Sequence, residues 1–364
     1  MRQNLARGLV AAFLAAFAAT TPAQSPKPPL KVAFVYVSPI GEAGWTFQHD
    51  QARQAMQKAL GAQVQTTVVE AVAEGADSER VMRDLARQGH GLIVASSFGY
   101  LEPALRIAAE FPTVRFEHAG GYKTAPNLST YNARFYEARY LAGMLAGQAS
   151  KSGVAGYVAG FPVPEVVQGI NAFTLGMRAV NPKAQVKLVW LNTWFDPARE
   201  REAAQALVDQ GADVLVNHSG SPAVPQTAQA NFRAKGVRTV GYQSDMRRFA
   251  PDAQLAAVVP DWSGHYIRAA QAVMDERWQP HPVWGGMKDG MVQLVAVDPA
   301  LPAELRRLVE ARRAAIVAGS FKPFSAPLKD NAGTLHLAQG TLDDAAIATM
   351  NWLVEGVAGT LPGQ

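Results

Sequence analysis

From residue 30 onward, short and nearly continuous apolar runs alternate with segments whose apolar residues recur at helical spacing, in two successive series. A strand covered by helices on both faces reads as such a run, so the pattern specifies parallel sheets built from βαβ units. The first run, Val32-Ala33-Phe34-Val35-Tyr36-Val37, is too short for a helix. Ser38-Pro39-Ile40-Gly41 breaks it, and the next segment places Phe47, Ala52, Ala55, Met56 and Ala59 on one helical face before Gly61 ends it. Further strands are expected over 64–69, 92–95 and 114–117, helices over 76–88 and 101–111, and extended chain over 127–132. A helix over 133–150 with a small-residue face separates the series. The second has strands over 154–158, 186–191, 214–217, 237–241 and 255–259, and helices over 165–180, 198–210, 222–234 and 263–276. A strand over 291–297, a helix over 302–318, and a closing helix begun by Thr341-Leu342-Asp343-Asp344 and anchored by Trp352 complete the pattern.

Residues 1–23 read as an export signal. Arg2 and Arg7 precede an apolar run over 9–19, and Thr21-Pro22-Ala23 offers small residues for cleavage. That run falls short of the roughly 20 residues that span a bilayer, and no later segment is long enough. A soluble protein of the periplasm is the expectation, with no stable membrane insertion. The chain has no cysteine, which excludes a disulfide scaffold and a lipid-modified amino-terminal Cys. The formal charge of +4 falls to +2 once Arg2 and Arg7 are set aside, and the remaining Lys and Arg are scattered without interleaved aromatics, so a nucleic-acid partner is not expected. The roughly 340 residues that remain exceed what one core usually holds, so two lobes are expected.

Catalytic signatures are missing: no Gly-x-Gly-x-x-Gly after a strand, no Walker A, no His-Glu-x-x-His, no Gly-x-Ser-x-Gly and no Cys nucleophile. The seven histidines have no metal-ligand spacing, and His118 and His218, each near a strand end, read as structural ahead of a pocket role. No enzyme activity, metal or cofactor is expected. Aromatic and amide side chains in loops stand out instead: Trp45, Phe98, Asn132, Phe161, Trp194, Gln243 and Asp245. Trp45 and Trp194 each follow a strand and precede a helix, so two facing βα lobes would set them on opposite walls of one cleft. Such a set suits a flat heteroaromatic ligand, since base-on-aromatic stacking contributes roughly 1–3 kcal/mol per ring. Asp196, before Pro197, also reads as a helix cap.

Several of these residues carry a resemblance. Lys31 to Val37 with 41–51, then Gly75-Ala76-Asp77, Ser97-Phe98-Gly99-Tyr100, Tyr140-Leu141-Ala142-Gly143, Asn192-Thr193-Trp194-Phe195-Asp196-Pro197 and Gly211-Ala212-Asp213-Val214 resemble the basic membrane protein family. That family comprises substrate-binding proteins of ABC importers, and relatives of the purine nucleoside receptor type bind purines. The resemblance implies an α/β, type I periplasmic binding protein fold: two Rossmann-like lobes, a hinge and a cleft between them. Residues 30–131 and 242–259 are assigned to the amino-terminal lobe, 132–241 and 260–290 to the carboxy-terminal lobe, and 291–364 to a strand and helices packed on both. It also implies a base held between the rings of Trp45 and Trp194. Where nucleoside-binding relatives show ribose-binding Asp and Lys, this chain has Gln243 and, in the stretch ending at Pro260, no Lys. The expected ligand is therefore a purine base such as adenine, with nucleoside second, its edge read by Asn132, Asp245 and Gln243. The expected partners are an ABC permease and its ATPase subunits, and a monomer is expected. The alternatives are an exported enzyme acting on nucleosides or sugars, and a binder of another ring-shaped solute such as a sugar.

Overall fold

The computed structural model describes residues 28–362. The export-signal expectation for 1–23 lies outside the described residues. Two sheets form the centre of two lobes. The first has strand order β2-β1-β3-β4-β5-β11, from β1 (Leu30–Val35), β2 (Val64–Val69), β3 (Leu92–Ala95), β4 (Arg115–Ala119), β5 (Leu128–Ala133) and β11 (Val283–Gly285), all parallel. The second repeats that order as β7-β6-β8-β9-β10-β12, from β6 (Val154–Ala159), β7 (Gln185–Trp190), β8 (Val214–His218), β9 (Arg238–Tyr242), β10 (Gln254–Pro260) and β12 (Val292–Val295), with β12 antiparallel.

The continuous apolar run of the first strand has a simple cause. Val32, Phe34 and Tyr36 face one core, with Ala52 and Met56 of α1 (Trp45–Leu60) and Tyr266 of α8 (Ser263–Met274). Ala33 and Val35 face the other, with Met82 and Leu85 of α2 (Ala76–Arg87) and Ile107 of α3 (Leu101–Glu110). Alternate residues of a strand point to opposite faces, so a strand clad by helices on both sides must be apolar throughout. In the second lobe α4 (Phe135–Ala149) and α5 (Pro164–Val180) cover one face, and α6 (Pro197–Asp209) and α7 (Ala223–Lys235) the other. The small-residue face expected over 133–150 is what lets α5 approach α4. A Cβ on Gly143 would overlap the Phe173 carbonyl, and one on Gly176 the Tyr140 carbonyl.

The lobe boundaries differ from expectation. Segment 242–259 pairs into the second sheet through β9, β10 and β12, not the first. The stretch 260–290 mostly joins the first lobe, because α8 packs against α1 and β11 pairs with β5. The chain thus crosses between lobes after β5, after β10 and after β11, so three segments form the hinge. The tail differs too. Its helix α10 (Asp344–Ala348) is a single short turn capped by Asp343, whose carboxylate accepts from the Ala346 amide at 2.8 Å. Beyond α9 (Ala303–Val317), the tail buries Phe324, Leu328, Ile347, Met350, Leu353 and Val354 in the main core and adds polar contacts. Arg134 at the first crossover pairs with Asp344 at 2.6 Å, and the Asn171 amide bonds the Trp352 carbonyl at 2.7 Å and the Val354 amide at 2.9 Å. Val357 and Ala358 then add a short seventh strand at the β7 edge. Among the described residues, no helix is long and apolar enough to cross a membrane.

Candidate functional site

Both sheets reverse strand order between their first and third strands, and in open α/β sheets the crevice outside the strand ends at such a point receives ligands. The loops that leave β1 and β3 face those that leave β6, β7, β8 and β9 across the cleft. Together they line a largely apolar pocket.

In the first lobe, Gly44 (φ 99°) turns the chain into α1, so Trp45 opens the helix directly beneath the strand end. The Trp45 indole is fixed on two sides: its Nε1–H donates to the Ser96 carbonyl at 2.6 Å, and its ring stands edge-on to His49 at 4.4 Å. Phe98 follows β3. In the second lobe, Trp194 lies between β7 and the Asp196 cap of α6, which accepts from the amides of Ala198 and Arg199. Asp196 is thus a cap as well as a member of the Trp194 loop. The Trp194 indole packs on the Gly160 backbone and edge-on to Phe161 at 4.9 Å, and its Nε1–H reaches across the cleft to Glu74 Oε1 at 3.2 Å. That same oxygen accepts from Ser97 Oγ at 2.6 Å and the Gly99 amide at 2.9 Å. Glu74 therefore ties the Phe98 loop to the opposite lobe.

Of the residues singled out in the sequence, the fold brings Trp45, Phe98, Trp194 and Gln243 to the cavity wall. Gln243 sits at φ 65° directly after β9, is 1% exposed, and neither atom of its amide has a hydrogen-bond partner among the described residues. The other three are placed elsewhere. Phe161 lines an outer recess with Glu74 and Thr193 and supports Trp194 from behind. Asn132 stands back from the cavity, its Nδ2 donating to Glu165 Oε2 at 2.8 Å. Asp245 is turned away from the cavity altogether. Its carboxylate accepts from Arg247 Nε at 2.8 Å and Gln254 Nε2 at 2.9 Å, so local donors satisfy the group expected to read a ligand edge.

The polar groups that do face the cavity also include Glu165 and Ser219, which the sequence reading passed over, Tyr242, and His218, which it read as structural ahead of a pocket role. Glu165 sits in the first turn of α5, where an acidic residue ordinarily reads as a response to the helix dipole. Its Oε1 lies 3.2 Å from His218 Nε2, which in turn lies 3.0 Å from the Tyr242 hydroxyl. Burial holds the His218 pKa below its ordinary value, with Glu165 opposing, so the ring is neutral near pH 7. His118, the other histidine weighed, is fully buried in β4, not on the wall, and burial lowers its pKa to about 3. Beneath Ser219 lies Glu200, itself inaccessible, which accepts from Ser219 Oγ at 2.8 Å and Ser221 Oγ at 2.7 Å and anchors the β8–α7 loop. Burial pushes its carboxyl up to about 7.

Two lobes of repeated topology, joined by a three-segment hinge around a mostly apolar pocket, form a two-lobed ligand-binding architecture. The comparisons specify it further. The chain belongs to the Bmp family, described as PnrA-like ABC transporter substrate-binding proteins, whose model matches residues 30–318. It is 48% identical over 334 residues to a purine-binding protein of Brucella abortus, covering 92% of this chain and 94% of that one. It is 38% identical to a putative ABC transporter glucose-binding protein of Haloferax volcanii, covering 92% of this chain and 81% of that one. Among solved structures, a solute-binding protein from Aeropyrum pernix aligns with TM-score 0.70 at 17% identity, covering 88% of this chain and 95% of that one. One from Conexibacter woesei aligns with TM-score 0.65 at 24% identity, covering 80% and 98%. The type I fold of solute-binding proteins is thereby established, and the family and its neighbours are binders rather than enzymes.

Proposed function

We propose that this protein captures a purine outside the cytoplasm, the free base in preference to the nucleoside, and delivers it to the permease and ATPase of an ABC importer. The observation that carries the reading is the Gln243 side chain, buried on the cavity wall with its amide donor and acceptor both unpartnered. A Gln amide matches the N6–H and N7 edge of adenine with two hydrogen bonds. Trp45, Phe98, Trp194 and Phe195 supply apolar surface for a flat ring, with stacking worth roughly 1–3 kcal/mol per aromatic face. Glu165 offers an acceptor to a ring N–H, a charge-assisted bond stronger than a neutral one. Asn132 and Phe161 act through Glu165 and Trp194, which they hold in place.

The preference for the base follows from the few polar groups on the wall. Each ribose hydroxyl buried without a partner costs roughly 1–3 kcal/mol, and a free base brings no hydroxyls and one more N–H. The purine-binding description of the Brucella relative supports the same ligand class. The glucose-binding description of the Haloferax relative makes glucose the rival. A hexose presents hydroxyls around its whole rim, and a cavity walled by Trp45, Phe98, Trp194, Phe195 and Tyr242 leaves most of them without partners. Export through the signal over 1–23 would deliver the protein to the periplasm. Titration calorimetry of ligand-stripped protein with adenine, guanine, adenosine, guanosine and glucose tests the reading. Adenine should bind tightest and adenosine at least tenfold more weakly. Equal binding of adenosine refutes the base preference, and glucose binding without purine binding refutes the ligand class.

A further inference from the structure

Behind His218, on the side away from the cavity, three buried polar atoms point to one spot. A Cβ built on Gly169 in the middle of α5 would lie 3.3 Å from the Tyr157 hydroxyl, 3.6 Å from His218 Nδ1 and 3.8 Å from Arg139 Nε. None of the three atoms has a hydrogen-bond partner among the described residues, nor has Arg139 Nη1. Arg139 is wholly buried. Its Nη2 donates to the Asn217 carbonyl at 2.7 Å, and its guanidinium lies 3.8 Å from the centre of the Tyr242 ring, which it holds against the cavity wall. Glycine in a helix interior is unfavourable relative to alanine, so its presence at this spot calls for a reason.

We propose that α5 omits a side chain at Gly169 to seat one buried water joining Arg139, Tyr157 and His218, and that through this water Arg139 is a positioning residue for the ligand-facing His218–Glu165–Tyr242 group. One water satisfies all three atoms. The water accepts from Arg139 Nε–H, donates to His218 Nδ1 and exchanges its remaining bond with the Tyr157 hydroxyl. Three partners are the usual complement of a buried water. With Nδ1 an acceptor, the ring proton sits on Nε2 and is donated to Glu165 Oε1, 3.2 Å away. The Tyr242 hydroxyl, 3.0 Å from the same nitrogen, then cannot donate to it and turns its proton toward the ligand. The opposite tautomer would set Nδ1–H against the donors of Arg139 and a bare Nε2 lone pair against a carboxylate. Arg139, from outside the cavity and through the water, thus acts with Glu165 to fix the tautomer in which Tyr242 presents a donor there. This consequence for the ligand rests on the binding reading above; the water seat itself does not.

The test is a pair of substitutions, Gly169→Ala and Gly169→Ser, in the full chain. The alanine methyl would lie 3.3 Å from the buried Tyr157 hydroxyl, a tight contact, so in a dry site crowding alone would make the larger Gly169→Ser at least as destabilising as Gly169→Ala. The water seat predicts the opposite order: Ala displaces the water, strands three polar atoms and lowers Tm, whereas the Ser hydroxyl replaces the water and recovers most of the loss. Nitrogen-15 NMR of the imidazoles, with His218 assigned by its absence in His218→Gln, should show Nε2 protonated and Nδ1 hydrogen-bonded in the wild type. Gly169→Ala should move Nδ1 to its free-acceptor shift, and Arg139→Met should populate the Nδ1–H tautomer. Adenine affinity should fall severalfold in Gly169→Ala and less in Gly169→Ser. A Gly169→Ala protein that is as stable as or more stable than wild type, a Gly169→Ser protein no more stable than Gly169→Ala, or a wild-type His218 protonated on Nδ1, overturns the proposal. Absence of adenine binding by the wild type would refute the purine reading alone, because the Tm order and the imidazole shifts need no ligand.

Discussion

Replacing Gln243 by Leu should move affinity and stability in opposite directions. The side chain is 1% exposed and both amide atoms lack partners, so the unliganded fold already carries the desolvation of two polar atoms. Leucine has similar bulk and no polar atoms. It must adopt the same left-handed backbone (φ 65°), which Gln243 already does, and the backbone amide keeps its 2.9 Å bond to the Val258 carbonyl. Tm of the unliganded protein should therefore hold or rise. Adenine, by contrast, would lose two hydrogen bonds of about 1 kcal/mol each and could leave a buried N–H or ring nitrogen unpaired, for a total of about 2–4 kcal/mol. That corresponds to a Kd roughly 30- to 700-fold weaker. Calorimetric titration of stripped protein measures the second quantity and thermal unfolding without ligand the first. An adenine Kd within threefold of wild type would refute the assignment of the Gln243 amide to the ligand edge. A drop in Tm of several degrees would show instead that the amide serves the fold.

Trp45→Ala and Trp194→Ala should each weaken adenine binding by roughly ten- to a hundredfold, with Phe at either position costing less; unchanged titrations for both Ala variants would remove the stacking walls from the account. Gly44→Ala should block the closed form, because its Cβ would overlap the Gly220 carbonyl across the cleft; small-angle scattering should then show no contraction on adding adenine, whereas normal contraction would show the contact to be dispensable. Glu200 supplies a pH test. Its folded pKa of about 7 lies above the unfolded value near 4.3, so the native state holds the proton over that interval and stability falls as pH rises through it. Glu200→Gln should therefore gain in Tm relative to wild type between pH 4.5 and pH 7.5 and differ by a constant amount above; a Tm difference independent of pH would refute the raised pKa.

The repeated strand–helix order, the helix caps at Gly61 and Asp196, and the arrival of Trp45, Phe98, Trp194 and Gln243 at strand ends were all legible in the chain itself. Each is a local property: an apolar period of two or of three to four residues, a turn that breaks it, and a loop residue stranded between. Partnership is not local. Nothing in the run 254–260 distinguishes a strand that pairs with β9 from one that returns to the first sheet, and only the competition among edges decided it. The same holds for polar side chains. Asp245 and Glu165 are both carboxylates beside a turn, yet Arg247 and Gln254 satisfy the first, while His218 and Asn132, 53 and 33 residues distant in sequence, orient the second toward the cavity. A carboxylate bonds to whichever donors the fold delivers within 3 Å or so, and that delivery depends on how two lobes, three crossovers and a glycine-to-glycine helix contact settle together. Sequence periodicity therefore determined the walls of the site, and tertiary packing determined which polar groups face inward from them.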